Sequence, residues 1–264
     1  MIFEGQDAEF DLKMTQDLFP KFVSKVNAIS GTNKARVRGF HALLRSLAES
    51  GKLPIRVYSV TDQDSDIDGP VALQEYRWDV YHIENYLLEP KCVALVLSEL
   101  TGPSTRMSEA EAEALLFDSA KETLTRLVQH KIGSCANRQL VAAINTRIDP
   151  DAPDIASEMA KVVEASANRI SKLTSNQLSK RQFELLIDRY TVEFETALAD
   201  GTWKAKFRGR DILKRLVTKH TSGISYLRFR NLIVARMRDQ FFQPAGMKRI
   251  LEQIASCELI DPFF

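Results

Sequence analysis

Carboxylates that converge in space can grip a divalent cation, and two places in this 264-residue chain offer them at the end of an apolar run. Ile55-Arg56-Val57-Tyr58-Ser59-Val60-Thr61 is β-branched and apolar, follows Pro54, and ends in Asp62-Gln63-Asp64. Such a run reads as a buried strand followed by an acidic turn. In open α/β sheets ligands bind just past the C-terminal ends of the strands, where Asp62 and Asp64 fall. Hard cations such as Mg²⁺ take carboxylate oxygens and keep several waters. The competing reading is a plain acidic turn, since Asp66 and Asp68 follow and Asp is common in loops. The second place is the start, where Met1-Ile2-Phe3 lead into Glu4-Gly5-Gln6-Asp7. Glu4 stands where a strand becomes a turn, and Gly5 lets the backbone bend sharply. Strands usually run about 5–6 residues, so this one looks cut short. Either Met1 is a late start or residues precede it in the full-length protein. Carboxylates from separate strand ends repel one another unless a cation lies among them. Two such ions about 3.5–4 Å apart would clamp the attacking and leaving oxygens of a phosphodiester.

The elements that must position these groups alternate between strand and helix. A helix is expected over 8–18, with Phe10 and Met14 on one face, and a second strand over 22–29. Between the two acidic motifs, Ser30-Gly31-Thr32-Asn33-Lys34-Ala35-Arg36-Val37-Arg38-Gly39 is small, polar and basic. Its amides, with Lys34, Arg36 and Arg38, would hold a phosphate backbone near the carboxylates. The alternative is a solvated loop leading to a helix over 40–48, opened by His41 as a surface residue. Residues 74–81 alternate loosely, as in a partly exposed strand. His82-Ile83-Glu84-Asn85-Tyr86-Leu87-Leu88-Glu89-Pro90 follows.

Taken together, Phe3-Glu4-Gly5-x-Asp7, a second βα unit, Val57-Tyr58-Ser59-Val60-Thr61-Asp62-Gln63-Asp64 and Ile83-Glu84-Asn85-Tyr86-Leu87-Leu88 resemble a TOPRIM domain. Topoisomerases, primases and the OLD family of nucleases share that domain. The last string resembles a signature of TOPRIM proteins associated with ATPases in anti-phage defence. The resemblance implies that Glu4, Asp62 and Asp64 surround Mg²⁺ (or Mn²⁺), with Glu4 as metal ligand or general acid/base. It makes Asp7 a further metal ligand and Glu84 a third-strand carboxylate or second-metal ligand. Ala8 stands where many relatives carry Asp, and the turn is one residue shorter than usual. On the residues alone, Glu84 reads equally as the cap of the next helix, with Tyr86, Leu87 and Leu88 in the core. His82 reads as a proton shuttle beside the carboxylates or as a packed ring.

Helical patterns dominate from about residue 106. Ser108-Glu109-Ala110-Glu111 has the form of a capping box. Leu116/Phe117, Ala120, Leu124 and Leu127/Val128 follow at helical spacing, with Gly133 as the expected stop. Asp149–Asp154, rich in Asp and Pro, breaks the chain. Asp154 would cap a helix carrying Ile155, Met159, Val162/Val163, Ile170 and Leu173. Another would carry Phe183, Leu186/Ile187, Tyr190, Phe194 and Ala197/Leu198, with Gly201 after it. These stripes are expected to be core. Trp203-Lys204-Ala205-Lys206-Phe207-Arg208-Gly209-Arg210 mixes aromatic and basic residues, with a helix opening at Gly209. Lys206 and Arg208 are candidate nucleic-acid contacts. Related nucleases often carry Gly-Lys before such a helix. Arg210 would keep the charge and fork onto phosphate, but cannot act as a base. Arg228, Arg230, Arg236 and Arg238 form the arginine side of an expected amphipathic helix. The tail, with Pro262, Phe263 and Phe264, is expected to dock on this chain or a second subunit.

Lys plus Arg is 36 and Asp plus Glu 35, so a net charge of +1 selects no partner. A nucleic-acid site would have to be a local basic patch. No apolar run reaches the roughly 18 residues of a membrane span. Cys92, Cys135 and Cys257 form neither a zinc pattern nor a disulfide framework, and suit a reducing cytoplasm. The expected fold is α/β: a TOPRIM (Rossmann-like) core over 1–100 and a C-terminal helical subdomain over 101–264, with 203–216 returning to the active site. The resemblance implies a metal-dependent endonuclease and defence effector, most like the stand-alone TOPRIM subunit of PARIS systems. It would act on tRNA or DNA, tRNA favoured, as a homodimer with an ABC/AAA-type ATPase partner. The alternatives are the DNA-nicking half of an OLD-type protein and a catalytically degenerate TOPRIM assembly module.

Overall fold

The computed structural model describes residues 1–4, 8–64, 72–102, 106–149 and 151–257. Asp7, Asp66, Asp68 and the tail from 258 lie outside them. The chain is α/β, and its described residues form four parallel strands in the order β2-β1-β3-β4. β1 is Ile2–Phe3, β2 Ile29–Ser30, β3 Ser59–Thr61 and β4 Glu75–Arg77. Ile2 pairs with Ile29 on one side and Ser59 on the other, and Val60 pairs with Tyr76. Parallel strands need long crossovers, and helices supply them: α1 (Ala8–Leu18), the short α2 (Pro20–Val23) and α3 (Lys34–Glu49). Because those helices cover the sheet, its central strands are wholly apolar or buried. Ile2, Phe3, Ser59 and Val60 are almost without exposure. Ile2, Val37 and Val57 form one core cluster, with Leu44 packed against it. Phe3 stacks on Trp78 with ring centroids 6.3 Å apart, and Trp78 meets Tyr86 edge-on at 5.9 Å.

Several boundaries differ from expectation. The second strand is only Ile29–Ser30, because Pro20 starts α2 over residues read as extended; Pro is well suited to the first helical turn. The third strand proper begins at Ser59, although Tyr58 still accepts a hydrogen bond from the Ile2 amide at 2.8 Å. α3 starts at Lys34, six residues before the expected helix over 40–48. Asn33 caps it, its side chain accepting from the Arg36 amide at 3.0 Å. Lys34, Arg36 and Arg38 therefore lie on a helix, not in a loop. His41 is consequently two turns inside that helix and buried, not on the surface. Its ring meets Val57 O at 3.2 Å and Glu75 Oε1 at 3.4 Å.

A 3-10 turn, Ile83–Leu87, and α4, Pro90–Thr101, follow the sheet. α5 runs Glu109–Ala143, passing straight through Gly133. A lone interior Gly costs a helix only about 1 kcal/mol, and no Pro or cap accompanies it. Ser108 and Glu111 do form the expected reciprocal cap. α6 is Ile155–Ser175, α7 Lys180–Ala199, α8 Trp203–Lys206, α9 Gly209–His220, α10 Tyr226–Asp239 and α11 Ala245–Cys257. No helix among the described residues is long and apolar enough to cross a membrane.

The compact units divide the chain differently from a boundary at residue 100. One comprises 1–123 with 201–264, the other 124–200. In the first, α10 packs on α1 and α4, and α9 packs on the 3-10 turn. In the second, Asp154 caps α6 through the Ala156 and Ser157 amides, at 3.0 and 3.2 Å. Tyr190, Phe194 and Ala197 of α7 are buried as expected, whereas Ile155, Met159, Val163 and Ile187 are exposed. A unit of this size has too little volume to enclose every apolar stripe.

Candidate metal centre

β1 and β3 are parallel neighbours, so the residues following them emerge side by side. Glu4 continues the ladder after β1, its amide donating to Val60 O at 3.0 Å. Its carboxylate turns across to accept the Asp62 amide at 3.1 Å. The turn after β3 is itself held. Asp62 Oδ1 accepts the Ile83 amide at 3.0 Å, and the Asp64 amide donates to Tyr81 O at 3.0 Å. Asp64 has φ 47, a left-handed conformation that Asp tolerates better than most residues. Its carboxylate then meets His82 Nε2 at 3.2 Å on one oxygen and Lys34 Nζ at 3.1 Å on the other. One ligand atom each from Asp62, Asp64 and His82 lie within 4.8 Å of one another. Glu4 stands beside this trio. His82 thus joins the carboxylates, a role open beside simple packing in the sequence.

The charges explain themselves by burial and crowding. Burial pushes the Asp62 carboxyl well up, and the charges of Asp11, Asp64, Glu84 and Glu4 push it further. Burial also raises Glu4, against the opposing pull of the Lys34 ammonium. For Asp64 burial acts upward too, but the His82 hydrogen bond and Lys34 outweigh it, and the net shift is down.

Glu84 lies in the 3-10 turn, 1% exposed. It neither caps α4 nor projects from a strand. Its Oε1 receives Arg210 Nε and Nη2, each at 2.8 Å. Tyr226 Oη donates to the same oxygen at 3.4 Å, and Arg230 Nη1 lies 3.7 Å away. Among the described residues, Oε2 is buried with no hydrogen-bond partner. Arg210 is therefore held by a carboxylate, and α9 carries it to the site although it lies 126 residues away in sequence. Arg230 is buried, contrary to a solvent-facing arginine side for α10; it stacks 3.6 Å over the Phe10 ring. Arg36 and Lys206 are exposed. Arg208 is paired with Asp211 at 3.1 Å.

Two residues were missed in the sequence. Asp11 of α1 is buried, its carboxyl raised well above the usual range by burial and by Glu84, against Arg210 and Arg230. The signal was available: Asp11 shares its helix face with buried Met14, Thr15 and Leu18, and an acid inside an apolar stripe rarely lacks a purpose. Asn85 is the other. Its Nδ2 donates to Lys204 O at 2.8 Å and Phe207 O at 2.6 Å. Its Oδ1 accepts from the His82 amide at 3.0 Å and the Gly209 amide at 3.1 Å. A Cβ on Gly209 would stand 2.8 Å from Asn85, so only glycine allows this approach. No protein-family model matches the chain, and neither a curated protein nor a solved structure matches it.

Proposed function

We propose that this chain is a metal-dependent nuclease of TOPRIM type, a phosphodiester hydrolase acting on nucleic acid. The observation that carries the reading is the meeting of Asp62, Asp64 and His82 in one small volume, with the Glu4 carboxylate beside them on the Asp62 amide. The donor set fits a hard divalent cation, Mg²⁺ or Mn²⁺. Asp62 is buried and crowded by the charges of Asp11, Asp64, Glu84 and Glu4, and among the described residues Oε2 of Glu84 is buried without a hydrogen-bond partner. Glu4, Asp62 and Asp64 would hold the ion, with His82 beside them and Asp7 added by the family resemblance. Bound there, the ion supplies Lewis acidity at a phosphate and lowers the pKa of water.

The chain's own groups do the rest. The Asp62 and Lys34 amides orient the Glu4 carboxylate, and His82 is placed to exchange a proton with Asp64 Oδ1. Arg210, one quarter exposed at its side chain, keeps a guanidinium edge for a phosphate while anchored to Glu84. Arg36, Arg38 and Lys206 would meet the flanking backbone, a sequence-independent contribution that weakens with salt. The motif resemblance supports a defence effector that attacks tRNA and works with an ATPase subunit, as a homodimer. One observation favours a degenerate assembly module instead: Arg210, which stands where related nucleases often carry a lysine near the active site, is paired with Glu84.

A Mg²⁺- or Mn²⁺-dependent cleavage assay separates the two. Wild type should cut and Glu4→Ala should lose about 100-fold or more, in line with removal of a principal electrostatic group. Full activity in Glu4→Ala excludes the metal mechanism. Sequencing nucleic-acid ends from cells expressing the protein then names the substrate, as new tRNA ends or as DNA nicks.

A further inference from the structure

We infer that the groove between the end of α1, α2 and α11 is the docking site of this chain's own residues 258–264, which clasp those helices together. The docking does not depend on the nuclease reading. The groove encloses about 910 Å³, a volume typical of binding sites. Phe22, Phe242, Leu251 and Ala255 give it an apolar lining. Lys21, Lys25, Arg238 and Lys248 also line it, against Asp17 and Glu252. Lys248 faces Glu252 at 3.8 Å and Arg238 faces Asp239 at 3.3 Å, whereas Lys21 and Lys25 stand exposed. Gln243 Nε2 donates to Leu18 O at 2.7 Å, which joins the two walls and preforms the groove.

Phe241, which also lines the groove, is 92% exposed and has φ 53. It follows α10 where helices commonly end on glycine, and a bulky side chain is strained in that conformation. Strain of this kind gathers at ligand clamps, and here it presents a bare phenyl ring. The occupant follows from the path of the chain. α11 turns Lys248, Leu251, Glu252 and Ala255 to the groove, one face at helical spacing. The helix ends at Cys257, so the chain leaves from the end of that face. Glu258-Leu259-Ile260-Asp261-Pro262-Phe263-Phe264 comes next. Its Leu, Ile and Phe side chains suit the apolar lining, and its two carboxylates suit Lys21 and Lys25. Such a segment reaches at most about 25 Å, ample for a groove of this volume. Tethering also gives it a local concentration of roughly millimolar, which any separate occupant would have to exceed. Once docked, it would hold α1, which carries Asp11, to α10, which carries Arg230; those two charges interact.

The test is hydroxyl-radical footprinting of the full chain, with oxidation of each phenyl ring read by mass spectrometry and the free peptide 258–264 as the unprotected reference. In wild type, Phe263 and Phe264 should react about tenfold more slowly than in the peptide, the ratio for a segment docked roughly nine-tenths of the time. Lys21→Glu together with Lys25→Glu should raise those rates about threefold at low salt, since surface pairs are each worth little. Adding Glu258→Lys and Asp261→Lys should restore the protection. Tail rings as reactive in wild type as in the peptide overturn the inference. Protection that the lysine reversals leave unchanged overturns it too, because the segment then lies elsewhere. Protection that fades on dilution, with a dimer seen by light scattering, gives the groove to a second copy and overturns docking within one chain. Phe241 should be shielded in wild type as well. A fully reactive Phe241 overturns the inference even where circular dichroism shows that the lysine variant does not fold.

Discussion

Replacing Asn85 by Asp tests how the site is held together, and the structure sets the size of the effect. Both hydrogens of Nδ2 go to backbone carbonyls, of Lys204 and Phe207, while Oδ1 accepts two backbone amides. The orientation of the amide is forced, since carbonyls need donors and N–H groups an acceptor. Asn85→Asp leaves the accepting side intact and turns the donating side into an oxygen facing two carbonyl oxygens. Each buried acceptor left without its donor costs about 1–3 kcal/mol, so the loss is roughly 2–6 kcal/mol. That is a large part of the 5–15 kcal/mol typical of a domain, a range of about that size. The assay is urea unfolding followed by circular dichroism, comparing midpoints at constant slope.

The pH dependence supplies a second check. Burial against carbonyls raises the new carboxyl above its unfolded value. The charge-related part of the deficit is then absent below about pH 4 and grows as pH rises through the folded value. The deficit should shrink from pH 8 to pH 5 without vanishing, because a protonated acid restores one donor of the two. A loss below about 1 kcal/mol, or a deficit independent of pH, refutes the argument that Asn85 joins the 3-10 turn to the start of α9.

Glu84→Gln removes the charge that Arg210 and Arg230 face in a buried setting. Leaving one side of a buried pair uncompensated costs about 3–5 kcal/mol, read from the same urea midpoints; an unchanged midpoint contradicts the pairing. Metal binding should also be linked to pH. Folded Glu4 and Asp62 have raised pKa values, so their contribution to metal-free stability is complete below about pH 4 and is lost as pH rises through the folded values. Asp64 is lowered and runs the other way, its contribution present above its unfolded pKa and lost on acidification. Two raised groups against one lowered mean that Mg²⁺ should raise the melting temperature more at pH 8 than at pH 5.5. An equal shift at both pH values contradicts the carboxylate crowding.

What the amino-acid sequence determined by itself was local. The β-branched run before Asp62, the apolar start before Glu4, the Asp154 cap and the Ser108–Glu111 cap depend on neighbours a few residues away, and each is present. The parallel α/β arrangement followed from alternating strand and helix patterns, because parallel strands require such crossovers. Strand lengths and the path through Gly133 did not follow, since pairing and packing override weak local preferences. Only the tertiary structure decided which charges meet. Arg210 reaches Glu84 across 126 positions, Tyr226 reaches the same Glu84 across 142, and Lys34 reaches Asp64 across 30. Arg230, read as surface, went inside because a buried carboxylate is stable only beside a cation. Asp11 and Asn85 carried no local mark of their partners. Hydrogen bonds and ion pairs act over a few ångströms of space, and distance along a chain says little about distance through it.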